Sequence, residues 1–240
     1  MKYLNALVDL LFPPKCCSCG ELVQPGANFC YDCSQQWKTW LAHRCAKCGL
    51  PAPHCSCAPH SRRNKPMDRL TYTFFYNSKD TECPANRMIY TLKRVRDRRL
   101  TAFLGTWMAR SLQSFARSRG ILLSAYTITY PPRSRRAVRQ YGFDHTALLA
   151  RALGRELSLP VVKALDRRGN RVQKKLTVRE RAENAAASYR LSRSVTDLDG
   201  EKMILVDDVI TSGATLSACE ALLYKAGARD VILCTLAKDI

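Results

Sequence analysis

No apolar run in this 240-residue chain approaches the roughly 20 residues that a membrane-spanning helix requires. Leu4 to Phe12 comes nearest to the apolar stretch of a secretory leader, but Asp9 interrupts it and no small-residue cleavage site follows. Neither a GxxxxGK(S/T) loop nor a GxGxxG fingerprint occurs, which removes the usual support for a nucleoside triphosphate or dinucleotide ligand. Acidic side chains are scarce, 20 Asp and Glu against 39 Lys and Arg, and the formal charge of +19 favours polyanionic partners. Without an export signal the expected location is the cytoplasm. Twelve cysteines in that compartment read as thiolate ligands sooner than as disulfides.

What is present is enough for a packed core: 46% of residues are hydrophobic, and the length suits one large or two smaller domains. Ser61-Arg-Arg-Asn-Lys-Pro66 is polar, charged and ends in proline, so the boundary is placed there, giving segments 1–65 and 66–240. The first segment has little aliphatic content and cannot bury a sufficient core alone, which makes metal the expected source of its fold.

Eight cysteines fall in four close pairs there: Cys16 and Cys19, Cys30 and Cys33, Cys45 and Cys48, Cys55 and Cys57. Two thiolates two residues apart can turn onto one ion from a single knuckle, and a second knuckle completes the Cys₄ shell of structural zinc. Gly20 and Gly49 follow their pairs and supply permissive backbone. Sequential pairing puts the first four on one Zn²⁺ and the last four on a second; interleaved pairing stays open. The final pair has one intervening residue, so His54 and His60 are alternative ligands. Phe29, Tyr31, Trp37 and Trp40 either stack on unpaired bases or, the preferred reading for the two tryptophans, pack the small core or its seam with the next domain.

Beyond residue 66 the pattern alternates. Thr71 to Tyr76 reads as a strand, Arg87 to Arg94 and Thr101 to Phe115 as helices, and Ile121 to Tyr130 as a strand stopped by Pro131-Pro132. Thr146 to Leu157 reads as a helix, Pro160 to Leu165 as a strand and Val178 to Ala187 as a helix. Such alternation predicts an α/β fold with a largely parallel sheet and ligands at the strands' carboxyl ends.

The most informative string is Met203-Ile-Leu-Val-Asp-Asp-Val-Ile-Thr-Ser-Gly-Ala-Thr215. Four apolar residues after Asp199-Gly200 form a buried strand, and Thr215 to Ala226 has helical spacing before Gly227. Thr211, Ser212, Gly213, Ala214 and Thr215 therefore lie at a helix amino end, where free N–H groups and the dipole favour a phosphate. Asp207 and Asp208 repel phosphate but accept hydrogen bonds from a vicinal diol. Diol and phosphate at the two ends of one loop describe ribose 5-phosphate. A lone Asp-Asp would be an ordinary turn-and-cap feature.

The whole string resembles the phosphoribosyl pyrophosphate signature of the type I phosphoribosyltransferases. Four cysteine knuckles, Leu92-Lys93 on a basic helix, Tyr141-Gly142-Phe143-Asp144 after an Arg-rich loop, and Gln173, Leu176, Arg181, Asn184 and Tyr189 extend the likeness to the ComF family of competence-associated proteins. That resemblance implies a type I phosphoribosyltransferase-like parallel sheet flanked by helices, preceded by a small cysteine-rich zinc-binding domain. It implies that Asp207 and Asp208 hold the ribose at the reaction centre and that residues 211–215 hold the 5-phosphate. It further makes Pro131 to Arg136, with Pro132, Arg133, Arg139 and Lys93, the pyrophosphate side, and Arg167 to Arg181 a flexible lid. Where the family usually has Arg-Gly-Phe-Asn this chain has Tyr-Gly-Phe-Asp, so either Arg139 replaces the missing arginine or pyrophosphate binding is weakened.

Two functions follow as expectations. One is the handling of single-stranded DNA during natural transformation or DNA use, with phosphoribosyl pyrophosphate and Mg²⁺ bound at the loop and DNA-uptake or recombination proteins as partners. The other is an active phosphoribosyltransferase with an unidentified acceptor, its Mg²⁺ bridging the pyrophosphate. The clusters Arg133, Arg135, Arg136, Arg139 and Arg167, Arg168, Arg171, Lys174, Lys175, Arg179, Arg181 serve nucleic acid or pyrophosphate equally well.

Overall fold

The structure, a computed structural model, describes residues 13–42, 45, 68–77, 83–168, 187–195 and 197–239. In chain order these form helix α1 (Tyr31–Leu41), strand β1 (Leu70–Tyr76), α2 (Pro84–Arg94), α3 (Arg98–Ser118), β2 (Tyr126–Thr129), α4 (Arg135–Tyr141), α5 (His145–Leu157), β3 (Leu165–Arg167), β4 (Tyr189–Leu191), β5 (Lys202–Ile210), α6 (Ala214–Lys225) and β6 (Asp230–Asp239). The main sheet has order β1-β6-β5-β2, with every pairing parallel, while β3 and β4 form a separate antiparallel ribbon.

Alternation along β5 explains why its sequence is a continuous apolar run. Met203 and Leu205 pack with Leu216, Cys219 and Leu223 of α6, whereas Ile204 and Val206 pack with α3 and α5 through Leu104, Met108, Leu149 and Leu153. Successive side chains point to opposite faces, so a strand covered on both faces needs an apolar residue at every position. The result is a three-layer sandwich with the sheet in the middle.

The helices start where local chemistry directs. Asp97 accepts hydrogen bonds from the Arg99 and Leu100 amides at the head of α3, and Asp144 does the same from Thr146 and Ala147 at the head of α5. Ser134 caps α4 by accepting from the Ala137 amide, and Gly142 ends it with φ 78°, in the left-handed region. Helices α3 and α5 cross closely because Gly105 faces Ala152: a β-carbon on Gly105 would stand 2.8 Å from that of Ala152.

Two strand expectations change. Of Ile121 to Tyr130 only Tyr126–Thr129 enters the sheet, after a 3₁₀ turn at Leu123–Ala125, and Leu122 is exposed. Of Pro160 to Leu165 a single parallel bridge remains, Val161 to Ile128, before the chain leaves the sheet to form β3. Both segments are apolar enough for strands, but β5 pairs with only four residues of the first, and Ile128 of β2 with only one residue of the second, among the described residues. The boundary at 65/66 and the helix expected at 178–187 fall, except for Ala187, outside the described residues.

The amino-terminal helix does not stand apart. Trp37 of α1 is buried, with ring centroids 5.1 Å from Phe74 of β1 and 5.6 Å from Phe103 and Trp107 of α3. Trp40 stacks on it at 5.2 Å, and Phe29 meets Phe103 edge-on at 5.1 Å. These rings join the knuckle region to the core of the sheet domain.

Candidate functional site

Strand β5 carries Asp207 and Asp208 at its carboxyl end, and Thr211 to Gly213 turn the chain into α6. Gly213 occupies the N-cap with φ 69° and offers no side-chain cap, so the first amides of α6 are left for another acceptor. Thr211 and Ser212 are exposed beside them, and Ala214 and Thr215 are half-buried. The Ser217 hydroxyl in the same first turn is buried without a hydrogen-bond partner among the described residues.

The two carboxylates differ sharply. Asp208 is buried and accepts from Lys93 Nζ at 2.9 Å, from His145 Nε2 at 3.0 Å and, through Oδ1, from the Val209 amide at 2.7 Å. Burial alone would raise its pKa, but the His145 hydrogen bond and the Lys93 charge overcome that and hold the carboxyl well below the usual range. Asp207 is half-exposed, and its Oδ1 accepts from the Asp208 amide at 2.9 Å. Desolvation and the neighbouring Asp208 charge push its pKa well above the ordinary carboxylate value. The pair therefore holds one fixed negative charge and one carboxyl that ionises reluctantly.

Lys93, in the last turn of α2, thus reaches the Asp pair directly. Arg133 does not extend its guanidinium the same way: its backbone amide donates to Asp144 Oδ2 at 2.8 Å and its side chain lies over the Tyr141 ring at 4.4 Å. Asp144 therefore ties the Pro131–Arg136 loop to the head of α5, and Tyr141 supplies a stacking surface to Arg133. Pro132 is buried beneath this loop, and Arg139 is exposed in the last turn of α4. Arg167 of β3 stacks over Tyr189 of β4 at 5.3 Å; the lid segment between those strands falls outside the described residues apart from its ends. His145 was not singled out from sequence. Its position directly after Tyr-Gly-Phe-Asp was the available signal, but its partner lies 63 residues away.

At the other end of the molecule the sulfurs of Cys16, Cys19, Cys30 and Cys33 lie within 4.8 Å of one another. Cys19 and Cys30 are 3.7 Å apart, close to the edge of about 3.8 Å of a tetrahedron with Zn–S bonds of about 2.3 Å. Gly20 closes the first knuckle at φ 81°, its amide donating to the Cys16 carbonyl, and Cys30 with Cys33 opens α1. Burial opposes ionisation of Cys16, yet backbone N–H groups of Cys19, Cys30 and Ser18 bring its pKa down to about 7. The donor set fits zinc. Of the second quartet only Cys45 is described, half-buried; Cys48, Cys55 and Cys57 lie outside the described residues.

Comparison with known proteins agrees with this layout. Residues 7–62 match the double zinc ribbon domain, and residues 142–240 match the phosphoribosyl transferase domain. The chain is 30% identical to DNA utilization protein YhgH of Salmonella typhimurium over 194 residues, covering 78% of this chain and 80% of that protein. It is 26% identical to competence protein ComFC of Bacillus subtilis over 230 residues, 91% of this chain and 87% of that one. Competence protein F of Haemophilus influenzae is 30% identical over 99 residues, 40% and 43% of the two chains. Sulfur geometry and the first match support structural zinc, and the parallel sheet with the second match supports the type I fold. With knuckle, sheet and relatives aligned over most of its length, the chain belongs to the ComF family of competence and DNA utilization proteins, a zinc ribbon followed by a type I phosphoribosyltransferase-like domain.

Proposed function

We propose that the protein binds phosphoribosyl pyrophosphate at the carboxyl end of β5 and handles single-stranded DNA in the cytoplasm during natural transformation or DNA use. The observation that carries the first half is the juxtaposition of Asp207 and Asp208 with the uncapped amino end of α6 across one short loop. The α6 amides and the Thr211, Ser212 and Thr215 hydroxyls take the 5-phosphate. Asp208 is already committed to Lys93 and His145, so a ribose diol meets Asp207 first.

Mg²⁺ fits the pair, because a cation offsets the desolvation and the like-charge repulsion that keep Asp207 from ionising. When bound with the pyrophosphate it would neutralise developing charge on that group, with Asp207 as the protein carboxylate facing it. Lys93 holds Asp208 in place, and the Asp144-anchored loop presents its backbone to the pyrophosphate.

The DNA half is supported by the family's named roles and by the net charge of +19. DNA-uptake or recombination proteins are the partners this reading expects. Calorimetric titration of phosphoribosyl pyrophosphate with Mg²⁺ into the zinc-loaded protein tests the site. Binding at micromolar strength that disappears in Asp207→Asn/Asp208→Asn is expected; no binding to the wild type, or equal binding to the variant, overturns it.

A further inference from the structure

One face of α3 and the first knuckle border an open groove of about 490 Å³, a volume typical of small-ligand pockets. Its walls are Arg99, Phe103, Trp107 and Arg110 from the helix and Gly26 and Asn28 from the knuckle loop. The helical residues recur at intervals of three and four, so they line one stripe of α3. Arg99 is fixed there, donating to the backbone carbonyls of Lys15 and Ala27 and so clamping knuckle to helix. Arg110 is exposed, with its guanidinium 5.3 Å from the Trp107 ring centroid, and has no carboxylate partner among the described residues.

The helix itself contains no acidic residue across Arg98–Ser118, and Arg98 and Arg117 add exposed positive charge along it. An aromatic wall with guanidinium groups at both ends suits a flat π-system joined to phosphates. An acidic peptide would use the arginines but not the rings, and an apolar partner would leave the charges desolvated and unmatched. The groove shares no residue with the Asp207–Thr215 loop.

We infer that this groove between the zinc knuckle and α3 is a binding site for a short run of single-stranded DNA, with one base stacked on Trp107, the Phe103 ring inclined at 61° beside it, and phosphates at the two ends of the run held by Arg99 and Arg110. The inference rests on the DNA-handling reading above and gives it a location separate from the sugar-phosphate site. Eleven helical steps lead from Arg99 to Arg110, about 16 Å at 1.5 Å per residue, or about five stacked nucleotides at 3.4 Å each. Duplex DNA, whose bases are already stacked, cannot use the aromatic wall.

The test is fluorescence anisotropy with labelled oligothymidylate of 20 nucleotides and the zinc-loaded full chain, across a salt series. Arg110→Glu changes an exposed side chain and is expected to weaken binding at least tenfold and flatten the salt slope by about one unit or more. Trp107→Leu removes a stacking ring and is expected to weaken it by about 5- to 150-fold, with Trp107→Phe recovering most of the loss. Phosphoribosyl pyrophosphate affinity, read by calorimetry on the same samples, is expected to be unchanged in Arg110→Glu. Wild-type affinity for the oligonucleotide retained by Arg110→Glu and Trp107→Leu overturns the location while leaving the DNA-handling reading intact. No binding by the wild type at low salt overturns both, and the calorimetry then decides the sugar-phosphate site independently.

Discussion

Asp207→Asn and Asp208→Asn are isosteric changes at adjacent positions, and the structure requires them to shift stability in opposite directions. Asn at 207 keeps an Oδ1 acceptor for the Asp208 amide, which donates to Asp207 Oδ1 at 2.9 Å in the wild type, and removes the carboxyl that burial and Asp208 disfavour in its charged form. A carboxyl whose folded pKa is raised contributes stability below its ordinary value and loses it as pH climbs through the folded value, because the folded state then releases the proton it held. At pH 7 to 8 the wild type carries that cost and Asp207→Asn does not. The gain is about 1 kcal/mol by the range usual for relieving one unfavourable surface or site charge, or about 2–4 °C in melting temperature for a chain of this size. Asn at 208 instead strands Lys93 and His145. Breaking a fully buried pair costs about 3–5 kcal/mol, but the Lys93 side chain is 39% exposed, so about 1–2 kcal/mol is expected after solvent screening. The contribution of Asp208 has the opposite pH sign: it is present above the ordinary carboxylate pKa and fades as pH falls through its depressed folded value. Thermal melts of the three zinc-loaded proteins without ligand, at pH 5, 7 and 8.5, separate these effects: the Asp207→Asn gain grows with pH, while the Asp208→Asn loss, its titration lying below this range, stays constant. Shifts of the same sign for both variants at pH 7, or a wild-type advantage over Asp207→Asn that grows with pH, would refute the assignment.

Three further outcomes follow from the geometry. Stripping zinc with a strong chelator should lower the melting temperature and redden tryptophan emission, since the first knuckle positions α1 and hence Trp37 against Phe74 and Trp107; unchanged emission would disconnect metal from seam. Gly154→Ala places a β-carbon 2.4 Å from Val161 Cγ2 and 3.0 Å from the Leu159 carbonyl oxygen, so a loss of about 1–3 kcal/mol is expected in denaturant melts, and a neutral effect would contradict that packing. Asp144→Ala removes the α5 cap and the tie to the Arg133 amide; a loss of about 0.5–2 kcal/mol is expected, with weaker phosphoribosyl pyrophosphate binding, whereas Asp144→Asn should recover most of both.

The parts legible in sequence were those whose cause is local. Met203 to Val206 is apolar because both faces are covered, Gly213 marks the loop-to-helix turn, and CxxC spacing announces a knuckle before any coordinates exist. Only the reach of the strand differed, since β5 runs on through the Asp pair to Ile210. What stayed hidden depends on distance along the chain. Lys93, His145 and Asp208 meet from three elements, and nothing at any one of them names the others. Strand β6 went unread because a central buried strand has no alternation to separate it from a buried helix. Helix α1 escaped notice because a metal-anchored turn and one tryptophan face hold it, with little apolar periodicity to betray it.

The sheet order places a demand on biosynthesis. Strand β1, with sequence Leu-Thr-Tyr-Thr-Phe-Phe-Tyr, is the outermost strand of the sheet among the described residues and pairs there with β6; Arg69 just before it is ion-paired to Asp230, 161 residues downstream. At the ribosomal pace of about 5–20 residues per second, an aromatic strand with high intrinsic β-propensity waits roughly 10–30 s for β6, its ladder partner among the described residues. During that interval it is a sticky nascent segment, covered first by Trp37 and Trp40 of α1 from the zinc-clamped knuckle region and then by α2 and α3 as they emerge. Zinc limitation during synthesis is therefore expected to raise the insoluble share of newly made chains, a pulse-label and sedimentation readout, and an unchanged share would separate the knuckle from this protection.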